Sequence, residues 1–333
     1  MGIGYSREMK KIRLLSIVIS LILLISMALL ISERHRLLLH LVGTGEPSKL
    51  LVAGNESSEA RWFDDYYIIH ALDENTFAIG EPRYDQRNFN YLILGNKRAI
   101  LFDAGSGIRD INPVVSSLTN LPLTFVPSHL HYDHIGNNVE FDRIALVDLP
   151  HLRERVKDDY LQLKWQEHLG MTEGYEAPKL KISEWLEPGE SIDIGDRQLT
   201  VLFTPGHTDN SISLMDISNQ YLFSGDFIYP GDLYAFIPTS NLGDYLQGTE
   251  NLLAKVGSEY KIYGAHRSAA SGLPILHLQD VKDLKKTLDA IRAHRQVGEG
   301  FYPVSFTVNR NINLLTEPSW LQSWDPIYPK IDP

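Results

Sequence analysis

Cysteine is absent from the 333-residue chain, and so are an excess of basic residues, low-complexity tracts and internal repeats of fixed period. Without cysteine, the chain forms no disulfide, thiolate metal site or iron–sulfur cluster and has no cysteine nucleophile. Acidic residues outnumber basic ones by 42 to 31, a net charge of −11, which argues against nucleic acid as a partner bound through a basic surface. With 43% hydrophobic and 22% charged residues, the composition is that of a globular protein rather than a disordered, collagenous or coiled-coil one.

A long run without charge lies near the N-terminus. Residues 14–31 (LLSIVISLILLISMALLI) contain only three polar side chains, all serines. As a helix the run would rise roughly 27 Å, close to the hydrocarbon thickness of a bilayer. It is longer than the apolar region of a usual signal peptide, and no small-x-small cleavage site follows it. We therefore predict an uncleaved transmembrane signal-anchor over residues 14–32, with a cleaved signal peptide and a buried core helix as the alternatives.

The charges that flank this run predict its orientation. Four basic residues precede it and two follow it closely: Arg7, Lys10, Lys11 and Arg13 before, Arg34 and Arg36 after. The excess of positive charge favours a cytoplasmic N-terminus over residues 1–13. We therefore expect a single-pass membrane protein whose remaining chain is periplasmic or extracellular. Glycine, proline and serine are frequent over residues 33–59, which predicts a linker.

Beyond residue 60 the pattern changes to short β-rich runs that alternate with helical ones. Strands are predicted at Tyr66–Leu72, Asn90–Leu94, Ala99–Phe102, Leu123–Pro127, Ser191–Ile194, Gln198–Phe203, Ser211–Asp216 and Tyr221–Ser224. Helical runs are predicted at Asp110–Thr119, Pro150–Glu173, Leu242–Val256 and Gln279–His294. Because the strands form two groups, each followed by helices, we expect an α/β sandwich over residues 60–300. Residues 301–333 show no regular spacing of apolar residues and are predicted to pack on this domain as a tail.

The most informative segment is Ser-His-Leu-His-Tyr-Asp-His-Ile-Gly, which directly follows a predicted strand. It places His129, His131, Asp133 and His134 within six residues. In an extended backbone His129 and His131 point the same way, whereas the two later residues fall past the turn and can face a second point nearby. Imidazole nitrogens and carboxylate oxygens that converge from two sides suit a pair of adjacent metal ions.

Three later motifs add one candidate ligand each. His207 lies in Pro-Gly-His-Thr, Asp226 in Ser-Gly-Asp and His266 in Gly-Ala-His, each after a short apolar run and beside a glycine. For any one of these residues alone, a structural role is the simpler interpretation. Together with the first cluster, however, they complete a set of seven potential metal ligands. Four other histidines lack this context and are predicted to be surface or packing residues: His151, His168, His277 and His294.

These motifs resemble those of the metallo-β-lactamase-fold superfamily of metallohydrolases, over residues 64–296. The resemblance implies an αβ/βα four-layer sandwich with its site at one edge. It implies two Zn²⁺ ions per chain, or other divalent metals, with one ion held by His129, His131 and His207, the other by Asp133, His134 and His266, and both bridged by Asp226. The residue that matches Asp103 supports the metal-binding loop.

Particular residues narrow the reaction that the resemblance implies. Asp226 is present, as in lactonases, thioester hydrolases such as glyoxalase II and phosphodiesterases of this fold, whereas zinc β-lactamases typically lack that carboxylate. The oxygen-reducing di-iron members usually carry Glu where this chain has His131. Tyr229 follows Asp226 at the spacing found in acyl-homoserine lactonases and in the acyl-CoA thioesterase branch. It is therefore predicted to donate a hydrogen bond to the substrate carbonyl, with an aromatic core residue as the alternative.

The segment between the two halves of the site also bears on substrate binding. It carries four large side chains, Trp165, Met171, Tyr175 and Trp185, and later in the chain Tyr234 and Phe236 are similar candidates. In this fold such a segment can cover the cleft, so these side chains either line an apolar acyl pocket or serve packing.

The resulting expectation is a membrane-anchored dinuclear zinc hydrolase. It uses a metal-bound hydroxide to cleave a small-molecule acyl thioester, lactone or ester, with Asp133 and Tyr229 as catalytic residues. The alternatives are a phosphodiesterase of the same fold and a non-catalytic, membrane-tethered metal-binding domain. The sequence predicts neither the oligomeric state nor the leaving group.

Overall fold

The protein is seen in a computed structural model that describes residues 2–138 and 141–327. Its helices are α1 (Gly2–Ser32), α2 (Arg34–Val42), α3 (Asn112–Leu118), α4 (Tyr132–Ile135), α5 (Pro150–Arg153), α6 (Trp165–His168), α7 (Leu242–Lys255) and α8 (Leu278–Arg292). Its strands are β1 (Arg61–Trp62), β2 (Ile68–Asp73), β3 (Thr76–Gly80), β4 (Phe89–Leu94), β5 (Ala99–Phe102), β6 (Leu123–Val126), β7 (Ala145–Val147), β8 (Tyr160–Gln162), β9 (Lys179–Lys181), β10 (Glu184–Leu186), β11 (Ser191–Asp193), β12 (Gln198–Phe203), β13 (Ile212–Asp216), β14 (Tyr221–Gly225), β15 (Gly231–Ala235), β16 (Lys261–Gly264), β17 (Ile275–Leu276), β18 (Val304–Asn309) and β19 (Ile312–Thr316).

Two six-stranded sheets form the centre of the fold. The first has the order β1-β2-β3-β4-β5-β6 and the second the order β11-β12-β13-β14-β16-β17. Neighbouring strands are antiparallel except for two parallel pairs, β5 with β6 and β14 with β16. In both parallel pairs the carboxyl ends lie side by side at one edge of a sheet, where loops can collect side chains.

Successive side chains along β12 point alternately to opposite faces of the second sheet, and this alternation explains how the layers pack. Leu199, Val201 and Phe203 join the core that the two sheets share, whereas Leu202 points to the opposite face. On that face α7 and α8 cover the second sheet with their apolar sides. The predicted α/β sandwich is therefore confirmed.

The N-terminal helix α1 makes little contact with the rest of the chain. Its segment Lys11–Ser32 has a mean hydropathy of 3.0, and none of its most apolar stretch is buried. By length and composition it could cross a membrane, and a signal sequence near an N-terminus has the same character. The following residues, predicted as a linker over 33–59, begin with the regular helix α2, whose Leu39 is buried.

Two other segments differ from the sequence-based expectation. Residues 150–173, predicted as mainly helical, form the short helices α5 and α6, the strand β8 and a 3₁₀ turn, Gly170–Glu173. The tail predicted over residues 301–333, without a regular spacing of apolar residues, contains the hairpin β18–β19, and β19 also pairs in parallel with β15. Residues 328–333 of this prediction lie outside the described residues. In β19 every second residue is buried: Ile312, Leu314 and Thr316. This alternation covers only five residues and ends in a polar side chain, so it is a weak strand signal in the sequence.

Candidate metal centre

The seven candidate ligands converge at one edge of the sandwich, and five of them lie in loops that follow strands. His129 and His131 follow β6, His207 follows β12, Asp226 follows β14 and His266 follows β16. The remaining two, Asp133 and His134, lie in the single turn of α4. All seven side chains are buried, none being more than 6% exposed.

Four of these side chains form a first donor set: His129, His131, His207 and Asp226. His131 Nδ1 lies 2.8 Å from His129 Nε2 and 3.1 Å from His207 Nε2. Asp226 Oδ2 lies 3.4 Å from His207 Nε2. Three imidazole nitrogens this close present their lone pairs to a common point, which suits a cation bound to nitrogen ligands.

Three side chains form a second donor set: Asp133, His134 and His266. Asp133 Oδ2 lies 3.3 Å from His134 Nε2 and 3.5 Å from His266 Nε2. Asp226 also reaches this set, since its Oδ1 is 3.4 Å from His134 Nε2 and 3.0 Å from His266 Nε2. The two donor sets therefore share one carboxylate, which offers an oxygen to each.

The outer nitrogens of the histidines fix the orientation of the rings. His207 Nδ1 donates to the Tyr234 carbonyl at 2.9 Å, and His266 Nδ1 donates to the Gln86 carbonyl at 3.0 Å. A carbonyl only accepts, so both rings carry their proton on Nδ1 and leave Nε2 free as a metal ligand. Within the described residues, the buried atoms His134 Nε2 and Asp226 Oδ1 make no hydrogen bond. A divalent cation at each set satisfies such atoms, so the residues present fit a two-metal site.

Burial and mutual charge set the protonation of the donors. Burial, reinforced by the neighbouring imidazoles, lowers the pKa of His129 and of His131 well below the usual value for histidine. Burial alone would raise the pKa of the Asp133 carboxyl, but the adjacent His134 reverses this and holds it well below its usual range. Burial also opposes charge on His134, yet Asp133 and Asp226 together raise its pKa. The second donor set thus attracts positive charge strongly, and the first combines three neutral imidazoles with the Asp226 carboxylate.

Asp103 supports both the loop and one ligand. It lies just after β5 with a positive φ of 64°, a conformation that aspartate adopts more readily than most residues. Its Oδ1 accepts from the Ser128 amide at 2.7 Å, and its Oδ2 lies 2.9 Å from His134 Nδ1. The structure therefore agrees with the supporting role that the resemblance implied.

Asn88 is a site residue that the sequence reasoning missed. Its Nδ2 donates to the Asp133 carbonyl at 2.7 Å and to Asp133 Oδ2 at 3.1 Å. It precedes β4, far from any of the histidine motifs, and no local pattern marks it. The sequence likewise gives no sign that the backbone carbonyls of Gln86 and Tyr234 orient His266 and His207.

Tyr229 lies beside the second donor set. Its ring centroid is 5.0 Å from that of His266, and the side chain is 4% exposed. Its hydroxyl donates to the Asp232 carbonyl at 2.5 Å. The single hydroxyl proton is therefore engaged within the protein, so a bond to a substrate requires an exchange of partners.

A cavity of about 430 Å³ opens next to the ligands. Its lining is Leu39, Val42, Gly43, Thr44, Ser48, Asp85, Gln86, His131, Tyr132, Asp133, Leu169, Thr172, Glu173, His207, Asp226, Tyr229, Tyr234 and Ile237. Of the candidates for an apolar pocket, Tyr234 belongs to it, whereas the other five do not: Trp165, Met171, Tyr175, Trp185 and Phe236. The apolar part of the lining comes instead from α2, Leu169 and Ile237.

The sandwich and the site define a class of protein. The model of the metallo-beta-lactamase superfamily matches residues 85–294, so the chain belongs to this family. Among curated relatives, acyl-coenzyme A thioesterase MBLAC2 of Gallus gallus is 29% identical over 61% of this chain and 84% of its own length. A hydroxyacylglutathione hydrolase of Bdellovibrio bacteriovorus is 24% identical over 75% and 87% of the two chains. The family and these named hydrolases identify the chain as a metal-dependent hydrolase.

A solved structure agrees with the fold. The metallo-beta-lactamase from Pontibacter korlensis superposes with a TM-score of 0.50 at 15% identity. The superposition covers 67% of this chain and 99% of the other. At this identity the likeness concerns the fold alone.

Proposed function

We propose that the chain is a membrane-anchored hydrolase that holds two zinc ions and cleaves an acyl thioester. The observation that carries this proposal is the pair of buried donor sets that share Asp226 beside an open cavity. A thioester is preferred to a lactone or another ester because relatives matched over most of their own length are named acyl-coenzyme A thioesterases. Lactones and esters undergo the same acyl transfer and are the next substrates to test.

The two donor sets are the proposed zinc ligands. Imidazole and carboxylate ligands suit Zn²⁺, and a shared carboxylate suits two ions that lie close together. Bound there, such ions supply Lewis acidity that polarises a carbonyl group and lowers the pKa of water. The outer hydrogen bonds of His207 and His266 keep both rings in the tautomer that this ligation requires.

Asp133 is the proposed proton carrier. It lines the cavity, and Asn88 holds its Oδ2 at 3.1 Å, which keeps the carboxylate in one orientation. Hydrolysis of a thioester forms a C–O bond, breaks the C–S bond and passes one proton from water to the leaving thiolate. Asp133 accepts that proton and returns it. A carboxylate with a low pKa releases the proton readily, and a thiolate leaves without strong acid assistance.

Tyr229 is the proposed hydrogen-bond donor to the substrate carbonyl. It lines the cavity on the side of His266. Its hydroxyl would exchange the Asp232 carbonyl for the substrate oxygen, on which negative charge develops during attack.

The proposed membrane topology follows from α1. Its exposed apolar surface and its length are those of a membrane span, and four basic residues precede the apolar run. The N-terminus would lie in the cytoplasm, with the hydrolase domain on the other side of the membrane and residues 33–59 between them.

The competing functions receive less support. Among the described residues that line the cavity there is no lysine or arginine, which disfavours a phosphodiester substrate. A non-catalytic binding domain would not need all seven ligands together with the hydrogen bonds that orient them.

The decisive experiment is zinc-dependent thioester hydrolysis by the full chain in phosphatidylcholine vesicles. Asp226→Ala removes a ligand from both donor sets, so we expect bound zinc to fall and kcat/KM to drop by about 10³-fold or more. His294→Asn, at an exposed histidine outside both sets, is the matched control and should keep both. Tyr229→Phe should lower kcat about tenfold with zinc content unchanged. Unchanged hydrolysis after Asp226→Ala would overturn the proposal.

A further inference from the structure

Helix α2 brings the cavity close to the end of α1. Glu33 alone separates α1, which ends at Ser32, from α2, which begins at Arg34. The nine residues of α2 rise about 13 Å, and two residues near its far end, Leu39 and Val42, line the cavity. We call these two side chains the α2 wall. If α1 spans a membrane, the α2 wall places the cavity about one short helix away from the bilayer surface.

Contacts at both ends hold helix α2 in place. At its C-terminal end, a Cβ on Gly43 would lie 2.8 Å from Thr172 Cα, so only glycine permits this close approach. Next to it, the Gly45 amide donates to the Thr172 carbonyl at 3.0 Å. At its N-terminal end, Glu317 accepts from Arg34 Nε at 2.6 Å and lies 3.0 Å from His35 Nε2. The helix is therefore a fixed part of the cavity rather than a loose connection.

The outer surface of α2 is apolar and exposed. Leu37 and Leu41 lie one helical turn apart on the same face and are 43% and 83% exposed. Val42 is 65% exposed and also lines the cavity, so apolar surface continues from the outside of α2 into the site. Exposed leucines at the end of a membrane span are typical of a helix in contact with the lipid interface.

The charges inside the cavity indicate which head groups it accepts. Its lining contains Asp85, Asp133, Glu173 and Asp226, and no lysine or arginine among the described residues. Two divalent ions balance these four carboxylates, which leaves no cationic side chain for a polyanionic substrate. Glu173 Oε2 is buried and makes no hydrogen bond within the described part of the chain, so it can accept one from a hydroxyl or amine.

We infer that the substrate is a membrane-resident acyl amphiphile whose head group is not polyanionic and carries hydrogen-bond donors. It reaches the cavity along α2 from the bilayer surface, with its acyl chain against the α2 wall and its head toward Glu173. Water adds at the acyl carbon, the bond to the leaving sulfur or oxygen breaks, and that atom receives the remaining proton. This inference rests on the proposed acyl hydrolase function and adds the source and charge of the substrate.

The test uses the full zinc-loaded chain in phosphatidylcholine vesicles with three probes. Palmitoyl thioglycerol is neutral and partitions into the bilayer, palmitoyl-CoA has the same chain with a polyanionic head, and butyryl thioglycerol is neutral and water-soluble. We expect kcat/KM for palmitoyl thioglycerol to exceed that for palmitoyl-CoA by about tenfold. Butyryl thioglycerol reports the proposed hydrolase activity independently of the membrane.

The double variant Leu37→Gln/Leu41→Gln removes apolar surface from the outside of α2 without touching the cavity lining. It should lower kcat/KM for palmitoyl thioglycerol about tenfold and change that for butyryl thioglycerol less than about twofold. Ile217→Gln is the matched control, because Ile217 is 60% exposed and lies at the opposite end of β14 from Asp226. This variant should change neither rate.

Failure of the inference and failure of the proposed function give different results. A preference for palmitoyl-CoA, or equal effects of the double variant on both thioglycerol esters, would overturn the inference while hydrolysis itself persists. No hydrolysis of any probe by protein that holds two zinc ions would overturn the proposed function.

Discussion

The metal centre and the α2 wall meet in one cavity but are built in different ways. In the metal centre, strands of two packed sheets deliver polar side chains, and buried hydrogen bonds to Asp103, Gln86 and Tyr234 orient three of the rings. The α2 wall belongs to a short helix that is held by the close approach of Gly43 to Thr172 at one end and by Glu317 at the other. Changes at the centre should therefore abolish metal binding and activity together, whereas changes at the wall should alter which substrates are used.

Asp103→Asn should have the largest effect of three changes that probe this comparison. Asparagine keeps the shape, but it weakens the charge-assisted contact with His134 Nδ1 that orients this ring. We expect zinc affinity to fall by about 10- to 100-fold, with activity restored at high zinc concentration. Competition with a chelating dye measures the affinity. An unchanged affinity would mean that Asp103 acts on the loop through Ser128 alone.

Gly43→Ala should have an intermediate effect that depends on the substrate. The added Cβ would lie 2.7 Å from the Leu39 carbonyl oxygen and 2.8 Å from Thr172 Cα, so the end of α2 must move away from the 3₁₀ turn. We expect KM for a long-chain thioester to rise about fivefold while zinc content stays constant. Gly54→Ala is the matched control, since nothing lies within 4 Å of a Cβ there and its φ is not positive. Equal KM values for the two variants would show that the wall does not touch the acyl chain.

Acidification should produce the smallest effect, confined to the N-terminal end of α2. Burial alone would raise the pKa of Glu317, but hydrogen bonds from His35 and Arg34 lower it below its ordinary value. A lowered pKa in the folded state stabilises the contact above the ordinary carboxyl pKa, and this stabilisation disappears as the pH falls through the folded value.

Hydrogen exchange along α2 measures this contact. Between pH 5 and pH 3 we expect protection of the α2 amides to decrease, after correction for intrinsic rates, by roughly threefold. Glu317→Gln should show the lower protection at both pH values. Protection that is independent of pH in the unaltered chain would contradict the role of Glu317.

The motifs of the metal centre could be recognised in the sequence because four ligands cluster within six residues and the other three each lie close to a glycine after a strand. Local patterns of this kind predicted His129, His131, Asp133 and His134 as one cluster, and the structure brings His207, Asp226 and His266 to the same place. The strands β4, β5 and β6 and the helices α7 and α8 were also predicted near their observed bounds, since each has a clear period and clear ends.

The features that the sequence did not predict depend on contacts between segments that are distant in the chain. Every residue type has a backbone carbonyl, so the identities of Gln86 and Tyr234 do not indicate that their carbonyls orient ligands. The place of α2 is set by Gly43 against Thr172, two residues far apart in the chain whose identities suggest nothing alone. The hairpin β18–β19 was missed because its alternation is short and its pairing partner, β15, lies on a different part of the chain.

The parallel pairing of β15 with β19 has a consequence for the order of events during synthesis. The Tyr234 carbonyl that orients His207 belongs to β15, and β15 gains its partner only when the C-terminal hairpin leaves the ribosome. Parallel strands that are distant in sequence pair late in folding. Helix α1 precedes β15 and β19 in the chain, so if α1 is the proposed membrane span, it would reach the membrane long before the last ligand is fixed. Under the proposed topology, translocation would precede maturation, and metal ions would be acquired in the compartment where the finished domain resides.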